Sequence, residues 1–104
     1  MEVKIFDSDL EKFIKSLEKS TIAKVLRTVD LLEFFGNRLS MPHSKKIASD
    51  LFELRIRGTQ EIRILYTFYK GEVVLLHGFV KKSQRIPKKE IDVAINKLDL
   101  LISI

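Results

Sequence analysis

Residues 51–82 read LFELRIRGTQEIRILYTFYKGEVVLLHGFVKK. The stretch predicts three consecutive β-strands joined by two tight turns. In Leu51–Arg57, Phe52, Leu54 and Ile56 alternate with Glu53, Arg55 and Arg57. That period of two buries one face and leaves the other to water or a ligand. Ile62–Tyr69 alternates again, with Ile62, Ile64, Tyr66 and Phe68 set against Arg63, Leu65, Thr67 and Tyr69. Val73–Val80 is apolar on both faces, as a central strand is. Gly58 and Gly71 fall at the turns, where φ > 0 is often required. Arg55, Arg57 and Arg63 thus stand on stiff strands, and Lys81 and Lys82 leave the sheet at its end.

Upstream, Met1–Phe6 predicts a short strand. Ser8 is a natural N-cap, and Glu11 completes an S-x-x-E capping box. Leu10, Phe13, Ile14 and Leu17 then follow at helical spacing, so Asp9–Glu18 is expected to be an amphipathic helix. Ser20 or Thr21 caps a second helix, whose stripe is Ile22, Val25, Leu26, Val29 and Leu32 and whose stop is Gly36-Asn37. Helices joined this closely predict an antiparallel hairpin on one face of the sheet. Asn37–Asp50 has no clear period and reads as a loop marked by Ser40, Pro42, His43 and Ser44.

Downstream, Lys81–Ile86 is a basic connector. Pro87 fits the first position of a third helix, where its missing N–H costs nothing. Ile91, Ala94, Ile95, Leu98, Leu101 and Ile102 form that helix's apolar side. The expected layout is β-α-α-β-β-β-α over one domain, residues 1–104. It is an α+β, two-layer fold with an antiparallel sheet, an N-terminal helical hairpin and a C-terminal helix.

Composition narrows the chemistry. The chain has no cysteine and only two histidines, so neither a disulfide framework nor a zinc-ligand spacing is present. No apolar run approaches the roughly 18 residues of a membrane span, and the acidic start lacks a signal-peptide core. A soluble, cytoplasmic protein without a membrane partner is expected. The formal charge is +5, but from Arg55 to Lys89 nine Lys/Arg face two acids, and the rest of the chain is slightly acidic. Positive charge so localised is the footprint of a polyanion, nucleic acid first; a solvated basic face is the other reading.

Alternation puts Arg55 and Arg57 on one face, with Arg63 within cross-strand reach of Arg57. Such like charges repel unless carboxylates or a ligand intervene, and Glu53 and Glu61 are near enough to serve. Two readings stay open: a phosphate clamp, since guanidinium forks match phosphate oxygens in pairs, and edge-strand solubility. Lys81, Lys82, Gln84 and Arg85 are delivered to one end of the sheet. Lys88 and Lys89 sit in a first helical turn, where the dipole prefers acids; a ligand role and an ordinary basic loop both stay open. Tyr66 is expected in the core, while Tyr69 shares parity with Arg63 and is placed to stack on a base. His77 is expected to be a satisfied, half-buried histidine, with catalysis as its alternative. No phosphate-binding glycine loop, zinc-protease motif or serine nucleophile elbow occurs.

Taken together, Leu51-Phe52-Glu53-Leu54-Arg55, Ile62-Arg63-Ile64-Leu65-Tyr66, Leu75-Leu76-His77-Gly78-Phe79-Val80-Lys81-Lys82 and Pro87 with Glu90-Ile91-Ala94 resemble the phage-derived HigB-like branch of the RelE/ParE toxin superfamily. The likeness is close from Leu51 to about Leu98; the helices upstream agree only in pattern. It implies a RelE-like fold and the toxin of a type II toxin–antitoxin pair. RelE- and HigB-like toxins are mRNA interferases that cut mRNA in the ribosomal A site, whereas ParE-like toxins poison DNA gyrase. Matched residue by residue, Arg55 and Arg63 fall on basic active-site positions and Lys82, beside Lys81, on the basic position after the last strand. Arg57, Tyr69, Lys81, Gln84, Arg85, Lys88 and Lys89 would then hold the RNA. RelE-type enzymes carry a tyrosine near the start of the C-terminal segment, where this chain has Pro87-Lys88; its role must be absent or moved, to Tyr69 or His77. The chemistry implied needs no metal or cofactor: the 2′-hydroxyl attacks phosphorus while Arg55 and Arg63 stabilise the phosphorane and a crowded lysine, Lys82 first, transfers protons. The implied partners are mRNA on the ribosome and an antitoxin, commonly a helix-turn-helix, HigA-like protein. A gyrase inhibitor and a non-catalytic nucleic-acid-binding domain are the alternatives.

Overall fold

The computed structural model describes residues 1–103. Its elements run β1 (Val3–Ile5), α1 (Ser8–Lys15), α2 (Lys19–Phe35), a 3-10 turn (Gly36–Arg38), β2 (Ser44–Ala48), β3 (Leu51–Ile56), β4 (Ile62–Tyr69), β5 (Glu72–Val80) and α3 (Lys88–Ile102). The five strands form one sheet in the order β1-β5-β4-β3-β2. Neighbours from β2 to β5 are antiparallel, but β1 runs parallel to β5, so the sheet is mixed and not purely antiparallel as expected.

The two faces of the sheet carry separate cores. Leu10, Leu17, Val25 and Leu32 from α1 and α2 pack on Leu54, Ile56, Ile62, Ile64, Tyr66, Val73 and Leu75. Ala94 of α3, with Ile91, Leu98 and Leu101, packs on Leu51, Leu65, Val74, Leu76 and Phe79 from the other side. Helices therefore cover both faces, which replaces the expected two layers with three. The sequence basis is visible in β5: a strand apolar on both sides needs cover on both sides. The expected helical hairpin is not the packing unit either. α1 lies mainly on β5 and α2 mainly on β3, each touching the sheet more than the other helix.

Local chemistry sets the element ends. Asp7, not Ser8, caps α1: its Oδ1 accepts the Leu10 N–H at 3.1 Å. α2 begins after Glu18 without a side-chain cap, so neither Ser20 nor Thr21 serves. Leu26 of the expected α2 stripe and Ile95 and Ile102 of the expected α3 stripe are exposed. The β4–β5 turn is Lys70-Gly71, with φ of 50° and 76°. Positive φ at both central residues gives a turn whose twist matches the strands. Gly58, by contrast, does not take positive φ; it leaves room for Lys24, whose Nζ lies 2.8 Å from where a Cβ would stand.

The stretch expected to be loop contains a strand. β2 pairs with β3 through Ser44↔Leu54, Lys45↔Glu53 and Lys46↔Phe52, and a bulge follows before Ala48. Exposed Lys45 and Lys46 on this edge discourage further strand addition. The pairing also brings Ser44 to the buried Tyr66 hydroxyl, and the two hydrogen-bond. No helix among the described residues is long and apolar enough to cross a membrane.

Candidate functional site

The site grows from the β3–β4 register. Arg55 pairs directly with Arg63, and Glu53 sits one pleat away on the same face, between Lys45 of β2 and Leu65 of β4. Arg57 is not the cross-strand neighbour of Arg63, as had been expected. It lies beyond the end of β3, exposed.

Two opposed guanidinium groups repel, and the chain answers with a buried carboxylate. Glu53 Oε1 accepts from Arg55 Nε at 2.8 Å, and Oε2 lies 3.4 Å from Arg63 Nε. The Glu53 side chain is 2% exposed, so its charge is stable there only because two cations flank it. Arg63 is 4% exposed; its Nη1 donates to the Ile62 carbonyl at 3.0 Å and lies 3.5 Å from Glu61 Oε2. Its Nε has no hydrogen bond of good geometry, so the contact with Glu53 is an ion pair and not a directed bond. Arg55 is less constrained. Among the described residues, only its Nε makes a hydrogen bond, which leaves the two terminal nitrogens of the fork for a ligand.

Two adjoining clefts open over this group. One, about 330 Å³, is lined by Glu61, Arg63, Lys81, Lys82, Ser83 and Gln84. The other, about 280 Å³, has Lys45, Glu53, Arg55, Lys81, Gln84 and Arg85 over an apolar wall of Ile47, Ile86 and Ile91. Lys81 and Gln84 line both. The Lys81 backbone N–H donates to the Glu61 carbonyl at 2.7 Å, which pins the start of the basic loop against the β4 end. Arg55, Arg63 and Lys82, with Lys81, Gln84 and Arg85, are therefore gathered at one end of the sheet, on the α3 face.

Other expected site residues lie elsewhere. Tyr69 ends β4 and packs at the edge of the α3-side core. Six residues of strand separate it from Arg63, about 20 Å at the usual rise, so it is not part of this group. Lys88 forms an exposed i,i+4 pair with Asp92 at 3.0 Å, which accounts for a cation in the first turn without a ligand. Lys89 is exposed on the same turn. Arg57 lines a third cleft, between α2 and β3.

His77 is satisfied, as its sequence context suggested: Nε2 is 2.8 Å from Glu90 Oε1, and the ring stacks near Phe79. Beside it, Lys97 of α3 reaches Asp7 Oδ2 at 2.9 Å and donates to the Leu76 carbonyl at 3.0 Å. Burial alone would raise the Asp7 carboxyl pKa. Hydrogen bonds from Lys97 and the Leu10 N–H, with the charges of Lys97 and His77, outweigh it and hold the carboxyl below its ordinary value. These contacts fasten α3 to β5 and to the start of α1. Tyr66 is a core residue, 1% exposed and stacked on Phe52. Burial pushes its hydroxyl pKa up, against the hydrogen bond from Ser44.

Sequence reasoning missed Lys45 as a cleft residue. Its strand carries too few apolar residues to show a period. Among the described residues, no group of three His, Asp or Glu side chains is placed to hold a metal ion. A guanidinium fork with two free terminal nitrogens and several lysine ammonium groups thus stand beside a buried carboxylate that pairs with both arginines.

No curated protein matches the chain. The model of the family described as Phage derived protein Gp49-like (DUF891) matches residues 12–99, and the chain belongs to that family.

Proposed function

We propose that this protein is the toxin of a type II toxin–antitoxin pair, a HigB-like endoribonuclease of the RelE superfamily that cuts mRNA in the ribosomal A site. Membership of the phage-derived family supports the toxin reading. The observation that carries the nuclease reading is the convergence of Arg55, opposed to Arg63 across one strand pair, with Lys81 and Lys82 over two adjoining clefts.

In the proposed reaction the 2′-oxygen attacks the adjacent phosphorus and loses its proton to a base. The bond from phosphorus to the 5′-oxygen breaks, and that oxygen takes up a proton, leaving a 2′,3′-cyclic phosphate and a 5′-hydroxyl. Arg55, with its free fork, contacts the non-bridging oxygens as charge builds on them. Arg63 is a positioning residue that sets the field from beneath, with Glu53 fixing both guanidinium groups. Lys82, exposed and unpaired among the described residues, is the proton-transfer candidate, with Lys81 beside it. The ribosome holds the mRNA in line for attack. The antitoxin, a helix-turn-helix protein of the HigA type, presents acids over the same clefts and masks them.

Primer extension on cellular mRNA after induced expression tests this. Lys82→Ala, a surface change that leaves the fold intact, is expected to suppress the cuts. Undiminished cutting by both Lys82→Ala and Arg55→Ala would refute the assignment. One observation favours a second reading, a ParE-like gyrase inhibitor or another binding role. Arg63 is nearly buried and faces two carboxylates, as a purely structural arginine would. DNA breaks with intact mRNA would select it.

A further inference from the structure

On the opposite face of the sheet from the clefts over Glu53, a pocket of about 250 Å³ lies between α2, β3 and the loop before β2. Its lining includes Lys24 and Arg27 from α2, His43 from the loop and Arg57 from the end of β3. No Asp or Glu lines it, and among the described residues none of these three permanent cations is in an ion pair. That contrasts with Arg55 and Arg63, which are held by carboxylates. The floor is apolar, from Leu31, Pro42 and Ile56. Gly58 allows the Lys24 amine to settle against the backbone, 2.8 Å from where a Cβ would stand. Like charges gathered at one pocket repel, and an anion bound there would relieve that repulsion.

The geometry points to a second phosphate-binding site, for the backbone of single-stranded RNA a few nucleotides from the position over Arg55. The ligand is a polymer and not a lone phosphate because the cations are spread along the cleft, Lys24 and Arg27 on α2 and Arg57 beyond the end of β3. Arg55 lines both this pocket and the cleft over Glu53, which puts the two sites at the same end of β3. This rests on the RNA-directed reading above, which it extends with residues that reading leaves idle.

The test measures binding by the full chain to a fluorescein-labelled twelve-nucleotide RNA bearing 2′-O-methyl groups throughout. That probe cannot be cleaved by 2′-hydroxyl attack. Anisotropy is followed from about 50 to 300 mM salt. Each phosphate contact on a single strand contributes about 0.7 to the slope of log K against log salt. Lys24→Ala with Arg27→Ala is therefore expected to weaken binding and lower the slope by about 1.4. Lys12→Ala with Lys19→Ala removes the same charge from exposed helix positions outside the pocket and is expected to change the slope little. Thermal melts establish that both doubles fold. An unchanged slope in the pocket double, or an equal drop in the control, overturns the proposal. Because the probe reads binding alone, this result is separate from whether the protein cuts mRNA. Failure of cutting with a positive slope test would sink only the nuclease reading.

Discussion

Glu53 and Arg63 meet in a nearly closed space, with Oε2 and Nε 3.4 Å apart and both side chains under 5% exposed. Arg55 takes the other oxygen of the same carboxylate at 2.8 Å. One carboxylate thus pairs with two guanidinium cations that the strand register has forced together.

Removing that charge should be costly. Glu53→Ala strands two guanidinium groups beside each other, and breaking a buried ion pair typically costs about 3–5 kcal/mol. Urea unfolding of the variant is expected to show a loss of that order. A shift below about 1 kcal/mol would mean that Glu53 does not hold the arginines.

Arg55→Lys keeps the charge but removes the planar fork whose terminal nitrogens are free for the phosphodiester. On the nuclease reading, cutting falls by about 10²–10³-fold, the range for losing one preorganised donor. Cleavage assays on programmed ribosomes measure this, and wild-type rates would show that the fork is dispensable.

Gly78 is required for space. A Cβ there would lie 2.9 Å from two ring carbons of Phe13 and 3.0 Å from Leu10. Gly78→Ala should destabilise by about 1–3 kcal/mol through overpacking where α1 crosses β5. Adding Phe13→Leu is expected to restore part of the loss. A calorimetric melt that is unchanged in Gly78→Ala would show that α1 gives way freely.

How much of this was open to reading from the chain follows from period and parity. Leu51–Arg57, Ile62–Tyr69 and Val73–Val80 were expected as strands, and β3, β4 and β5 match them to within a residue or so. Alternation also placed Arg55 and Arg63 on polar positions of neighbouring strands. It could not set their register: a two-residue slip, which keeps every side chain on its face, decides whether Arg63 faces Arg57 or Arg55. Helical periodicity gave α3 an apolar side but not the face of the sheet it covers. β2 escaped because lysines and short side chains blur its alternation and its partner is supplied by tertiary pairing. Asp7 and Ser8 are both good caps, and only the placement of the first turn chose between them.

The link from Asp7 to Lys97 makes stability depend on acid. The carboxyl's folded pKa is depressed, so its contribution is complete above the ordinary carboxylate value of about 3.9. It is lost as pH falls through the lower folded value. Asp7→Asn is therefore expected to be less stable than wild type at pH 6 and to lose less on acidification. Melts between pH 6 and pH 3 measure this, and parallel curves would remove Asp7 from the account.

Tyr66→Phe deletes a buried hydroxyl and leaves Ser44 Oγ without its partner. The expected loss is about 1–2 kcal/mol. A double-mutant cycle with Ser44→Ala should return a coupling above about 0.5 kcal/mol. Strict additivity would mean that the edge strand is held by its backbone alone.

The parallel pairing of Val3 with Val73 has a temporal side. β1 finds its neighbour β5 only after the intervening elements have been made, and the cation-lined clefts likewise await residues 81–85. A nascent chain is thus kept unfinished by its own wiring.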